Sequence, residues 1–142
     1  MIVASQFPRL TPQNHRITSS PSVSYNCIAW AAGDTVNWWQ PGLYWPFLVS
    51  PFDDTITELQ RVFESLGFVA CPAGDLEPGW NKVALYAISG YYTHAARQLP
   101  DGRWTSKLGN EDDIEHDSPD AVAGGIYGDI ALFMKRQQSP PI

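Results

Sequence analysis

At 142 residues the chain is sized for one domain with a single core, and its 44% hydrophobic content is that of an ordinary globular protein. Lys and Arg number 9 against 15 Asp and Glu, a net charge of −6 with no basic cluster, which argues against nucleic acid or a membrane surface as partner. Two cysteines without a CxxC pair make no disulfide framework, so reduced thiols in a cytoplasmic setting are expected, with a Cys27–Cys71 bridge as the alternative.

No basic-then-apolar leader opens the sequence and no apolar run reaches membrane-spanning length, although secretion without a leader would escape this reading. The 11 Gly and 12 Pro predict much ordered loop. Residues 1–24, punctuated by Pro8, Pro12 and Pro21, read as an extended arm. A short helix is expected over 26–32, with Ser24 and Asn26 as capping residues and Gly33 as its stop. That places Cys27 in a first helical turn, where unpaired backbone N–H groups and the helix dipole favour the thiolate. A lone Cys in an apolar helix is also, more simply, a packing residue.

The segment 34–54 is dense in rings and contains Trp39 and Trp45. Its prolines and Gly42 forbid a long helix, so it reads either as a loop plugging the core or as an aromatic rim for a substrate or protein partner. Thr55 and Glu58 match a capping box, and Ile56, Leu59, Val62, Phe63 and Leu66 follow at helical spacing up to Gly67. A short strand is expected over 68–71, carrying a packed Cys71.

Residues 82–89 are apolar on both alternations, as in a strand covered on both faces. Strands 91–99 and 103–108 flank Asp101-Gly102, a strong hairpin signal. Residues 110–123 read as acidic and irregular, 127–134 as a last strand, and 135–142 as a fraying tail.

A thiol nucleophile needs an imidazole within reach and a polar group to orient the ring. Among His15, His94 and His116, the sequence favours His94, at the start of a central strand with small neighbours. The tight hairpin brings Ser106 beside it, and Asp113 is the charged alternative as orienting group. Trp104 and Lys107 fall on the same hairpin, where Lys107 can meet a carboxylate, or both can be ordinary sheet residues. A metal site from Cys27, His94, His116 and Asp113 matches no compact ligand spacing, and no cofactor is called for.

The order of a helix-start Cys in Asn26-Cys27-Ile28-Ala29-Trp30-Ala31, a capped helix and a strand opening at His94 resembles the small papain-like thiol enzymes of the NlpC and CHAP type. The resemblance rests on Cys27 and His94; where the NlpC type has Asp-Cys-Ser-Gly, this chain has Asn26-Cys27-Ile28-Ala29. It implies a single α+β domain in which N-terminal helices pack on an antiparallel sheet, and a cysteine hydrolase or acyltransferase cleaving a peptide or protein amide. From residue 25 to 136 the sequence also resembles an uncharacterised bacterial family, through Asn-Cys-Ile-Ala-Trp-Ala, His-Ala-Ala-Arg-Gln-Leu and Asp-Gly-Arg-Trp-Thr-Ser-Lys-Leu-Gly. The competing expectation is a non-enzymatic interaction module, immunity- or adaptor-like, presenting the aromatic loop 38–52 to a basic partner.

Overall fold

The computed structural model describes residues 6–19, 27–32, 55–108 and 113–138. Its elements in chain order are β1 (His15–Ser19), α1 (Cys27–Ala31), α2 (Ile56–Ser65), β2 (Val69–Cys71), β3 (Trp80–Ile88), β4 (Tyr91–Gln98), β5 (Trp104–Lys107), β6 (Asp113–His116), a 3-10 turn over Pro119–Val122, and β7 (Asp129–Gln137). The seven strands make one sheet in the order β1-β6-β5-β4-β3-β7-β2, with every pairing antiparallel.

Sheet dominates, and this corrects the papain-like α+β arrangement expected from the sequence. The described helices are a five-residue and a ten-residue segment lying against a seven-stranded sheet, rather than a helical layer packed on it. The physical reason is in the turn residues and patterning. Strand-forming runs fill the second half of the chain, and three segments expected to lack regular structure supply further strand. Residues 15–19 of the expected arm form β1 against β6, and residues 135–137 of the expected tail complete β7, where Lys135 pairs with both Lys82 and Val69. Residues 113–116, expected to be irregular, alternate Ile114 and His116 inward, which makes them a strand, β6.

The capped helix forms as its sequence dictates. Thr55 takes extended backbone at the N-cap and its hydroxyl accepts the Glu58 N–H at 3.3 Å, while Gly67 leaves the helix with φ +95°. Leu59, Val62 and Phe63 are fully buried, each worth about 1.5–3 kcal/mol of apolar transfer. They pack with Cys27, Ile28 and Ala31 of α1 onto Val83, Leu85, Ala95 and Met134 of the sheet.

The other alternation of the same strands faces a second cluster, containing Ala84, Tyr86, Ala96, Trp104, Ile114, Val122 and Tyr127. Phe7 closes this face, with its ring edge-on to Tyr127 at 5.4 Å. The N-terminal segment is held there by the Ile126 N–H donating to the Gln6 carbonyl at 3.1 Å, under a turn in which a Cβ on Gly125 would sit 1.9 Å from that carbonyl oxygen. Residues 82–86 are thus buried on both faces, as their double apolar alternation predicts.

Two irregularities meet at Tyr86. Between Tyr86↔His94 and Ala87↔Tyr92, β4 carries one extra residue, Thr93; between Leu85↔Leu132 and Tyr86↔Ile130, β7 carries Ala131. Bulges of this kind re-aim the neighbouring side chains. Thr93 is fixed by its hydroxyl, which donates to the Tyr127 carbonyl at 2.5 Å.

Candidate functional site

Immediately beyond the Thr93 bulge, His94 enters the second cluster completely buried. Its ring stacks on Tyr127 with centroids 4.0 Å apart and planes 5° from parallel, and tilts against Tyr86 at 5.1 Å. The β4–β5 ladder consists of two pairs, Arg97↔Thr105 and Gln98↔Trp104. Past them the imidazole and a hydroxyl make the link: His94 Nε2 and Ser106 Oγ are 2.9 Å apart. Ser106 Oγ lies 2.8 Å from His116 Nε2 on β6, and His116 Nδ1 lies 2.7 Å from the Ser118 carbonyl oxygen.

The polarity of this chain follows from its end. A carbonyl only accepts, so His116 Nδ1 carries the hydrogen and its Nε2 offers a lone pair. Ser106 therefore donates to His116 and accepts from His94 Nε2–H. The neutral His94 ring is left with a bare lone pair on Nδ1, which has no hydrogen-bond partner among the described residues. Burial, followed by the neighbouring His116, holds His94 well below the usual imidazole range. Burial brings His116 down to about 4 against the opposing hydrogen bond to Ser118. Both rings are neutral at pH 7.

Cys27 approaches β4 from the helix side, as the first residue of α1 and 8% exposed. Burial pushes its thiol up to about 11. Against that act backbone N–H groups of Ala95, Ile28 and Cys27 itself, and the charge of Lys107, all favouring the thiolate. Ala95 is the residue next to His94, so thiol and imidazole meet adjacent positions of one strand from the two sides of the sheet. No hydrogen bond joins Cys27 to His94 Nδ1.

The remaining sequence candidates fall as follows. Asp113 does not reach His94; it lies opposite Lys107 across the β5–β6 ladder, with Lys107 Nζ 3.8 Å from Asp113 Oδ1 and both side chains buried. Trp104 is a core residue against Phe133, at 6.2 Å between centroids. Trp39 and Trp45, with the whole aromatic stretch, lie outside the described residues. Among the described residues no group of three or more Cys, His, Asp or Glu is placed to hold a metal ion, and no helix is long and apolar enough to cross a membrane. The partners that sequence reasoning missed are His116 and Tyr127. The alternation of Ile114 with His116 carried a signal for the first, and nothing local announced the second.

A family model described as a domain of unknown function, DUF7689, matches residues 16–135. The chain belongs to this family. No curated protein and no solved structure matches it. The DUF7689 match takes in Cys27, His94, Ser106 and His116, so the whole buried chain and the thiol lie within the family's domain.

Proposed function

We propose that this DUF7689 protein is a cysteine hydrolase or acyltransferase acting on an amide or peptide bond, with Cys27 as nucleophile and His94 as its base. One observation carries the reading: the Ser118–His116–Ser106 chain fixes His94 in the tautomer whose free Nδ1 lone pair can take a proton. That lone pair stands one residue before the Ala95 N–H that supports the Cys27 thiolate. Ser106 and His116 are positioning residues in this scheme. The bulge at Thr93, beside the proposed base, is a feature over-represented next to active sites.

In the reaction, Nδ1 takes the thiol proton as the sulfur attacks the substrate carbonyl. The backbone N–H groups about Cys27 face the developing oxyanion. The leaving amine departs with the proton held by His94, and a thioester remains on Cys27. Water or a second amine resolves it, giving hydrolysis or transfer. The resting pair is neutral, out of contact and on opposite faces of β4, so the scheme requires β4 to rearrange at the Thr93 bulge until the thiol and Nδ1 share one face.

Acyl-enzyme trapping tests this. The protein is incubated with p-nitrophenyl acetate and digested, and the thioester is located by mass spectrometry. Acetyl on Cys27 well ahead of Cys71, lost in His94→Gln and slowed in Ser106→Ala with circular dichroism unchanged, is the expected pattern. Equal acetylation of both thiols, indifferent to His94, overturns it.

A further inference from the structure

On the helix side of the sheet, where α1 ends and the chain leaves α2, a recess of about 230 Å³ remains open. Its apolar walls include Ala31, Ala32, Phe68 and Val83, and two guanidinium side chains, Arg97 and Arg136, reach it from β4 and β7. Arg97 stands out among the six arginines of the chain. Arg9, Arg16, Arg61 and Arg103 pair with carboxylates, and Arg136 donates to the Leu66 carbonyl at 2.9 Å. Arg97 has no carboxylate within ion-pair distance among the described residues, and its buried Nε has no hydrogen-bond partner.

The guanidinium of Arg97 is half-buried and stacked on the Trp30 ring at 5.0 Å, which sets its direction, while the buried Nε–H meets no acceptor among the described residues. Leaving buried donors unmet is costly, and a planar carboxylate matches the guanidinium N–H fork with two parallel bonds. Lys82, also on the wall, is committed elsewhere, to the Ala73 carbonyl at 2.9 Å and Glu77 at 3.7 Å. The recess therefore presents the Arg97 guanidinium, with Arg136 also on its wall, at a residue-sized hollow of mixed apolar and polar lining.

We propose that this recess binds a carboxylate bearing a small apolar substituent, with Arg97 as the anchoring residue. The ligand is either a free short-chain acid or the C-terminal carboxylate of a peptide, which present the same group to Arg97. Burial lowers the Arg97 pKa, the expected state of a guanidinium waiting for an anion. The assignment is independent of Cys27 chemistry and stands if that thiol is inert.

The test is calorimetric titration of the full chain with isovalerate, isovaleramide, inorganic phosphate, and acetyl-Ala-Leu with a free or an amidated C-terminus. At least one free acid should bind saturably and shift the Arg97 Nε–H resonance, with its amide weaker by about ten- to a hundredfold. Tighter binding of isovalerate identifies a free acid, and tighter binding of the free-acid peptide identifies a chain terminus. Arg97→Met, which keeps the packing on Trp30, should abolish the acid–amide difference without lowering the melting temperature; Arg97→Lys, keeping charge without the fork, should weaken binding. No saturable binding of either acid, equal binding of acid and amide, binding of phosphate alone, or affinity unchanged in Arg97→Met each overturn the assignment.

Discussion

Replacing Ser106 with Ala removes one oxygen and breaks two hydrogen bonds, of 2.9 Å to His94 and 2.8 Å to His116. It leaves His94 Nε2–H as a buried donor without an acceptor and the His116 Nε2 lone pair as a buried acceptor without a donor. An unsatisfied buried polar group costs about 1–3 kcal/mol, so two together should cost about 2–5 kcal/mol after some relaxation. For a domain whose total stability is of the order of 5–15 kcal/mol this is a large fraction. Urea unfolding at pH 7.5 measures it as a lower midpoint at unchanged slope. Ser65→Ala serves as the control: that hydroxyl bonds the Val62 carbonyl on an exposed turn, and its loss should stay within about 0.5 kcal/mol. A loss below about 1 kcal/mol for Ser106→Ala would mean that the hydroxyl does not bridge the two rings. Imidazole nitrogen NMR checks the same logic: the wild type should show His94 Nδ1 bare and Nε2 protonated, and the opposite tautomer would refute the donor order.

Stability should also fall in acid for a reason specific to the two buried rings. Both titrate lower when folded than when unfolded, so the unfolded chain binds the extra proton first and stability, complete above about pH 6.5, declines as pH falls towards about 4. His116 alone contributes on the order of 3 kcal/mol to that decline, and His116→Gln should flatten the urea-midpoint profile over this window; an unchanged profile contradicts it. Gly125→Ala would drive a Cβ into the Gln6 carbonyl, at 1.9 Å, with the Pro8 ring at 2.8 Å. The backbone must part there, at about 1–3 kcal/mol, and limited proteolysis should then cut near residues 6–10; resistance equal to wild type would refute the close approach.

Local chemistry made part of this readable. Thr55, Glu58 and Gly67 delimit α2 through groups within a few residues of one another, and Asp101-Gly102 sets the β4–β5 turn the same way. The pairing of His94 with Ser106 followed from that hairpin. Longer-range features were closed to such reasoning. β1 and the end of β7 are strands because partners roughly a hundred and roughly sixty residues away in sequence, respectively, supply their hydrogen bonds, a relation that no local pattern expresses.

 The face on which His94 lies was hidden for a related reason. One extra residue at Thr93 changes which side chains point to which side, and only the register with β3 reveals it.

Phe7, Tyr127 and His94 form a file of three rings running inward from the N-terminal segment. The dryness of the proposed base is therefore set by a residue nearly ninety positions upstream, through a ring that touches both. A change at Phe7 would reach His94 as wetting rather than as displacement: water admitted beside Tyr127 would find the bare Nδ1 and raise the imidazole's basicity. The first turn of the described chain is in that sense a seal on the imidazole, and its fit is a setting of the proton affinity there.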